Sequence, residues 1–360
     1  MNSTDRENRL RIMILFGGRS DEHEVSILSA TNVLAALNQA KFEAVPVYVS
    51  RDGTWKLGEY AEGTLSSPSD GQTVFPIPGG KGEIVSLSSS GDVLDFHPVD
   101  AVFPVLHGQW GEDGSVQGLA AVARIPLVGC GILGSANALD KEVAKRLLRE
   151  AGLPVAKSVT INQQNAVSYD DLRDELGLPF FLKPATQGSS VGVGKVSSEE
   201  EYNTVLASGF ELDRKMIAEE FVEAREIECG VLENPDGSLF VSRMGEIVTA
   251  GTHDFYTYDA KYVDADGADI LVPADIPGDA ERLMQSMALE AFRALGCDGM
   301  ARVDFFLKPD GSVVINELNT IPGFTDISMY SKVMAASGIS YGDLIERLID
   351  HGLSRHEKDT

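Results

Sequence analysis

At 360 residues the chain exceeds what one ordinary hydrophobic core serves, so two or three domains are expected, each burying enough apolar surface to need no staple. A formal charge of −25 repels polyphosphate backbones and argues against nucleic acid as a partner. Three cysteines, Cys130, Cys229 and Cys297, odd in number and without CxxC spacing, indicate neither a disulfide framework nor a zinc site; with a polar N-terminus and no run of eighteen apolar residues, they point to the cytoplasm and away from membranes.

In chain order, RIMILFGG reads as a strand, SDEHEVSILSATNVLAALNQ as a helix, and FEAVPVYVS, DAVFPVLHG and IPLVG as strands. Alternating strands and helices predict an N-terminal parallel-sheet α/β domain over residues 1–130, with ligands at the strand C-termini. Residues 58–92, rich in Gly, Ser and Pro, read as a surface excursion outside the core. A helix from Asp140 to Ala151 sets Val143, Leu147 and Ala151 on one face and stops at Gly152 and Pro154. It belongs to a small central α/β subdomain, residues 131–220, with strand PFFLK, a glycine loop, strand VGVGKV and a helix opened by the capping box Ser198-x-x-Glu201; Tyr202, Val205 and Leu206 share its face and Gly209 ends it. Over residues 221–352, the hairpins EIECGVLE-NPDG-SLFVSRMGEI and MARVDFFL-KPDG-SVVINELN flank an amphipathic helix from Asp279 to Leu295, which predicts an antiparallel-sheet α+β domain. Residues 353–360 read as a polar tail.

The glycine loop, KPATQGSSVGVGK, matches no common phosphate motif. Gly194-Lys195 lacks both the earlier glycine and the following Ser or Thr of a Walker A loop, and Gly192-x-Gly194 opens no helix, as a dinucleotide fingerprint requires. Residues Gly188 to Gly192 do satisfy GxSxG, which would make Ser190 a hydrolase nucleophile, but that elbow passes into a helix and GVGKV reads as a strand. Two readings stay open: a hairpin turn whose N–H groups close over phosphates beside Lys183, or a mobile polar turn.

In the last hairpin, side chains two apart share a face. Arg302 and Asp304 lie on one side with Val303, Phe305 and Leu307 opposite; on the return strand Glu317 and Asn319 share a face, leaving Val314, Asn316 and Leu318 opposite. Two carboxylates and an amide oxygen make a hard, oxygen-only site suited to Mg²⁺ bridged to phosphates. Neighbours two apart are about 6.7 Å distant and a two-ion clamp needs about 3.5–4 Å, so the face admits two ions. Arg302 would lie beside the same phosphates.

Together these residues resemble the ATP-grasp superfamily: the glycine loop after FLKP, the spacing from Asp304 to Glu317 and Asn319, and EEFVEAREIE. FGGRSDEHEVS, LHGQWGEDGSVQG, AKY at residues 260–262 and ELNTIPGFTDIS are similar, more narrowly, to the D-alanine–D-alanine ligase family, in order from about residue 12 to about residue 350. The resemblance implies an enzyme in which ATP phosphorylates one D-alanine and the amine of a second attacks the acyl phosphate, with two Mg²⁺ (or Mn²⁺), for peptidoglycan synthesis. It implies that Lys141 and Lys183 bind phosphates, that Glu219, Phe221 and Val222 frame adenine, that Glu226 takes the ribose, and that Asp304, Glu317 and Asn319 hold the metal. Glu22 would take the ammonium of the first D-alanine with His107 nearby, and Lys261 and Ser328 the carboxylate of the second. Arg302 and the N–H of Gly323 would form the oxyanion hole, while Glu22, Ser189 and Tyr262 would tie a lid to the N-terminal domain. Without the resemblance, Glu22 reads as a solvated helix-start carboxylate, His107 as a satisfied strand-end histidine, and Lys261 and Tyr262 as exposed loop.

Relatives that make an ester with D-lactate look different at Tyr262, which favours an amine as the second nucleophile. Two departures, Thr186-Gln187 where many relatives carry a charge and Glu220 where a basic residue is common, bear on nucleotide affinity. The family is commonly a homodimer. Alternatives are a ligase joining D-alanine to D-serine or D-lactate, or a non-catalytic nucleotide-binding regulator, which the retention of Asp304, Glu317, Asn319 and Arg302 disfavours.

Overall fold

The structure, a computed structural model, describes residues 9–165, 167–249, 268–325 and 327–359. It opens on β1 (Leu10–Gly17), α1 (His23–Ala36) and β2 (Phe42–Val49). Successive β1 side chains alternate between faces: Ile12, Ile14 and Phe16 pack with Val33 and Leu34 of α1, while Met13 and Leu15 join Val45 and Val47 of β2. There follow β3 (Trp55–Leu57), β4 (Tyr60–Ala61), β5 (Thr64–Leu65), β6 (Thr73–Pro76), β7 (Glu83–Leu87), β8 (Val93–Pro98), β9 (Ala101–Pro104) and α2 (Ser115–Ala123).

Among the described residues the first sheet runs β8-β7-β6-β3-β2-β1-β9. Its β2-β1-β9 part is parallel, as expected, and the remainder is an antiparallel extension. Residues 58–92 therefore are not an excursion outside the core, and Leu65, Val74 and Ile84 are buried. These short strands are separated by Gly-, Ser- and Pro-rich turns, whose composition reads as loop in sequence. The C-terminal ends of parallel β1 and β9 lead into the segments carrying Glu22 and His107, where ligands of such sheets sit.

Next come α3 (Ile132–Leu139) and α4 (Lys141–Glu150), the latter capped by Asp140, which accepts from the backbone N–H of Glu142 (3.1 Å) and Val143 (3.2 Å). The buried face of α4 carries Ala144, Lys145 and Leu148, one residue on from the expected Val143–Leu147–Ala151 stripe. The shift arises because the inward face includes a lysine, which a hydrophobic pattern assigns to solvent.

A second sheet is built from β10 (Ser158–Asn162), α5 (Tyr169–Leu176), β11 (Phe180–Pro184), β12 (Gly194–Val196), α6 (Glu199–Leu212) and β13 (Lys215–Glu220), with strand order β10-β13-β11-β12. The capping box forms, Ser198 accepting from the N–H of Glu201 while Glu201 accepts from the N–H of Ser197. Gly209 does not end α6, which continues to Leu212; it is the point where β13 approaches, and a Cβ there would stand 2.2 Å from Met216.

The third unit comprises β14 (Arg225–Glu233), β15 (Leu239–Val241), β16 (Gly245–Thr249), β17 (Ala268–Leu271), α7 (Gly278–Ala294), β18 (Met300–Leu307), β19 (Val313–Asn319), α8 (Met329–Ala336) and α9 (Tyr341–Asp359). Its antiparallel sheet runs β17-β16-β14-β18-β19, with β15 beside β14. The core between this sheet, α4 and α7 holds Leu148, Met284, Phe292, Val303 and Ile315. Leu344, Ile345 and Leu348 of α9 return to cover the first sheet, and residues 353–359, read from sequence as a polar tail, continue this helix.

Candidate active site

The glycine loop spans the β11–β12 hairpin, and the chain returns as a strand rather than entering a helix, which removes the hydrolase elbow at Ser190. Ser189 and Ser190 take positive φ (46° and 61°), as does Gly192 at 72°. At Gly192 a Cβ would stand 2.6 Å from Leu212 and 2.8 Å from the Pro184 ring, so glycine is required there on both counts. The loop is tied down at several points. Thr186 donates through its N–H and its hydroxyl to Asp213 (both 2.8 Å) and accepts from Gln109 (2.9 Å), and Lys141 Nζ donates to the Gln187 carbonyl (2.6 Å). Ser189 donates its hydroxyl to Glu22, joining loop and N-terminal domain. Tyr262, expected as the third member with Glu22 and Ser189, lies outside the described residues, as does Lys261.

Beneath the loop is a cavity of about 310 Å³ lined by all six residues expected to bind ATP: Lys141, Lys183, Glu219, Phe221, Val222 and Glu226. Glu219 is buried, and its two oxygens face Lys183 (2.8 Å) and Lys145 (2.6 Å). Burial alone would push this carboxyl up; the two ammonium groups hold it on balance below the usual glutamate range. Burial lowers Lys141, against the pull of Glu317.

A second cavity, about 470 Å³, is bounded by Glu22, His107, Arg302, Asn319, Gly323 and Ser328. Gly188, Ser189 and Glu317 line both cavities, so the two meet under the glycine loop. Gly323 is fixed by Ser328, whose hydroxyl oxygen would stand 2.8 Å from a Cβ there and which accepts instead from the Thr325 N–H (3.1 Å).

Arg302 is half-buried, with Nε and Nη2 donating to both oxygens of Asp304 (2.7 Å each) and Nε lying 2.9 Å from Glu228. Burial works against its charge, but Asp304 and Glu228 keep the guanidinium more firmly protonated than usual. Asp304 pairs in register with Glu317 and Arg302 with Asn319, whose amide stands 3.1 Å from Asp304. Between Asp304 and Phe305 the register slips, so that Phe305 faces Ile315. This bulge overturns strict alternation: Asn316, expected opposite Glu317, lines the first cavity with it. The donor set fits a divalent ion. Two carboxylates and an amide, which offers its oxygen after a half-turn and release of Asp304, supply hard oxygen ligands.

Sequence reasoning missed Glu112 and Glu228, which line the second cavity, and Lys145. Glu112 accepts from the N–H of Gly108 (2.7 Å) and of Ile321 (3.1 Å), while His107 Nδ1 faces the Ile321 carbonyl (3.0 Å). A carbonyl only accepts, so Nδ1 carries the proton and Nε2 is left to accept from Ser29 at 3.3 Å. Burial lowers the His107 pKa and keeps the ring neutral. Burial, then Glu22, pushes Glu112 up to about 8, against the two N–H donors and Arg302. The backbone of Ile321, two residues before Gly323, is thus held at both its N–H and its carbonyl by the loop after β9. Glu112 stands in the quoted LHGQWGEDGSVQG block, but nothing in its spacing separates it from a solvated loop carboxylate.

Family models described as D-ala D-ala ligase N-terminus and C-terminus match residues 11–130 and 147–350. The chain is 58% identical over 347 residues to the D-alanine–D-alanine ligase A of Brucella suis, covering 96% of this chain and 98% of that one. Among solved structures, the D-alanine-D-alanine ligase from Coxiella burnetii is similar at a TM-score of 0.84 and 31% identity, covering 98% of this chain and 96% of that one. The VanG D-Ala:D-Ser ligase from Enterococcus faecalis is similar at a TM-score of 0.82 and 35% identity, covering 96% and 99%.

Proposed function

The chain belongs to the D-alanine–D-alanine ligase family, an ATP-dependent carboxylate–amine ligase of the ATP-grasp fold that joins two D-alanine molecules for peptidoglycan synthesis, and we propose how its residues divide that reaction. The observation that carries the assignment is the meeting of the two cavities at Gly188, Ser189 and Glu317. ATP in the first cavity then presents its γ-phosphate to a D-alanine carboxylate in the second.

Lys141 and Lys183 take the phosphates, Glu219, Phe221 and Val222 the base, and Glu226 the ribose. Glu22 binds the ammonium of the first D-alanine beside His107, and Ser189, with Tyr262, holds the loop closed over it. A carboxylate oxygen of that D-alanine attacks the γ-phosphorus and ADP leaves, giving an acyl phosphate that the closed loop shields from water. Lys261 and Ser328 orient the second D-alanine by its carboxylate; its free amine attacks the acyl carbon. Arg302 and the Gly323 N–H stabilise the oxyanion of the tetrahedral intermediate, which collapses as phosphate departs and the amine sheds a proton. Two Mg²⁺ or Mn²⁺, held by Asp304, Glu317 and Asn319, would supply charge neutralisation at the transferring phosphoryl group.

The same reading assigns the protein to the cytoplasm, where ATP is available, and to a homodimer. Support for the dimer is the edge strand β8, on which Val93, Leu94 and Phe96 are exposed with Phe75 nearby in register.

Purified protein given D-alanine, ATP and Mg²⁺ is expected to release ADP, phosphate and D-alanyl-D-alanine in equal amounts. A preference for D-serine or D-lactate as second substrate would replace this reading with that of the D-Ala:D-Ser type, and nucleotide binding without turnover would replace it with a regulator.

A further inference from the structure

Lys145 is the least expected charge in the molecule. It lies on α4 with 2% of its surface exposed, and it lines neither cavity, so it touches no ligand in either. Its ammonium stands 2.6 Å from Glu219, whose other oxygen accepts from Lys183 at 2.8 Å. The contact is a buried, charge-assisted pairing that favours the charged form of both groups.

One buried carboxylate needs one counter-ion, and Lys183 already provides it. A second buried ammonium is unfavourable to desolvate, and burial indeed lowers the Lys145 pKa against the pull of Glu219. The two lysines differ in reach. Lys183 and Glu219 line the nucleotide cavity, whereas Lys145 is enclosed behind the carboxylate. An anion entering the cavity draws Lys183 toward itself and away from Glu219, and without Lys145 the buried carboxylate would resist that movement strongly.

We propose that Lys145 is a positioning residue for ATP binding: it is the resident counter-ion of Glu219, which lets Lys183 leave that carboxylate for the phosphates. The inference rests on the assignment of this cavity to ATP. It makes nucleotide affinity depend on a residue that never meets the nucleotide, through charge and only while Glu219 is ionised.

The test is calorimetric titration of the full-length protein with ATP and Mg²⁺ in the absence of D-alanine, for wild type, Lys145→Met, Glu219→Gln and the double variant. Lys145→Met is expected to weaken ATP binding at least about tenfold, because it leaves Glu219 dependent on Lys183. Adding Lys145→Met to Glu219→Gln is expected to change affinity by less than about twofold, since no carboxylate then needs the second cation. In turnover, KM for ATP should rise far more than kcat falls. Equal losses in both backgrounds, or unchanged affinity in Lys145→Met, would overturn the proposal and leave Lys145 a packing residue. Where Lys145→Met alone does not fold, Lys145→Gln takes its place in the same cycle, with the same outcomes deciding. Lys183→Met separates the two readings. If it binds ATP normally, the cavity assignment itself fails; if it binds poorly while Lys145→Met binds normally, only the present inference does.

Discussion

Arg302 shows how one side chain serves more than one neighbour. Its guanidinium lies between Asp304 and Glu228, so without it two buried carboxylates would lose the cation they share. Arg302→Ala is expected to lower kcat by about 10²–10³, ~2.7–4 kcal/mol, the usual loss for one oxyanion donor. Arg302→Lys separates the roles, since it restores the charge between Asp304 and Glu228 but not the planar fork. It should recover thermal stability more fully than turnover, and equal recovery of both would reduce Arg302 to a structural cation. Tyr262 poses a different question. The proposed role of Tyr262 in favouring an amine as second nucleophile makes product choice the property to measure. Tyr262→Phe is expected to raise the ratio of D-alanyl-D-lactate to dipeptide, read by chromatography of products from mixed substrates; an unchanged ratio across pH would count against a role in that choice.

At the scale of the element, the β11–β12 hairpin works because its turn is both strained and anchored. Gly192 adopts a φ that costs an L-residue roughly 1–2 kcal/mol, and its missing Cβ leaves room for Leu212 and Pro184. Gly192→Ala should therefore displace the loop without unfolding the protein: KM for ATP rises several-fold while the melting temperature moves little. An unchanged KM would mean that the loop does not cover the nucleotide. How much of this was legible in the sequence divides along physical lines. The hairpin, the Asp304–Glu317 facing pair and the capping of α6 announce themselves through turn residues, alternation and spacing, which are local. The slip after Asp304 does not, because a bulge looks in sequence like one more alternating residue, and Asn316 was assigned to the wrong face. Lys145, Glu112 and Glu228 are hidden for a related reason: a charged residue reads as solvated surface until its partner, far along the chain, is placed beside it. The antiparallel extension β6-β7-β8 is hidden because its short strands lie among Gly, Ser and Pro residues that read as loop.

At the scale of the whole molecule, the substrate cavity is closed by parts remote in sequence, and the joint is the Ile321 peptide gripped by His107 and Glu112. Two titratable groups thus hold the segment leading to Gly323. His107, lowered by burial, is neutral when folded and contributes stability that is complete above its ordinary value of 6.5 and is lost as pH falls through its lower folded value. Glu112 has the opposite sign. Its pKa rises from an ordinary 4.5 to about 8, so its contribution is complete below 4.5 and is lost as pH rises through 8. His107 titrates alike in wild type and in a Glu112 variant, so Glu112 can be observed separately in their difference. Glu112→Gln keeps the shape but cannot ionise, and its amide can satisfy only one of the two N–H donors. It should be the less stable protein at pH 6.5, with the gap to wild type closing by about 2 kcal/mol as pH rises to 8, from ~1.36 kcal/mol per pH unit. Because every other group titrates in both proteins, the difference between their melting curves isolates this carboxyl. A gap that stays constant from pH 6.5 to 8 would show that Glu112 is ionised throughout and that its two backbone N–H donors, rather than burial, set its charge.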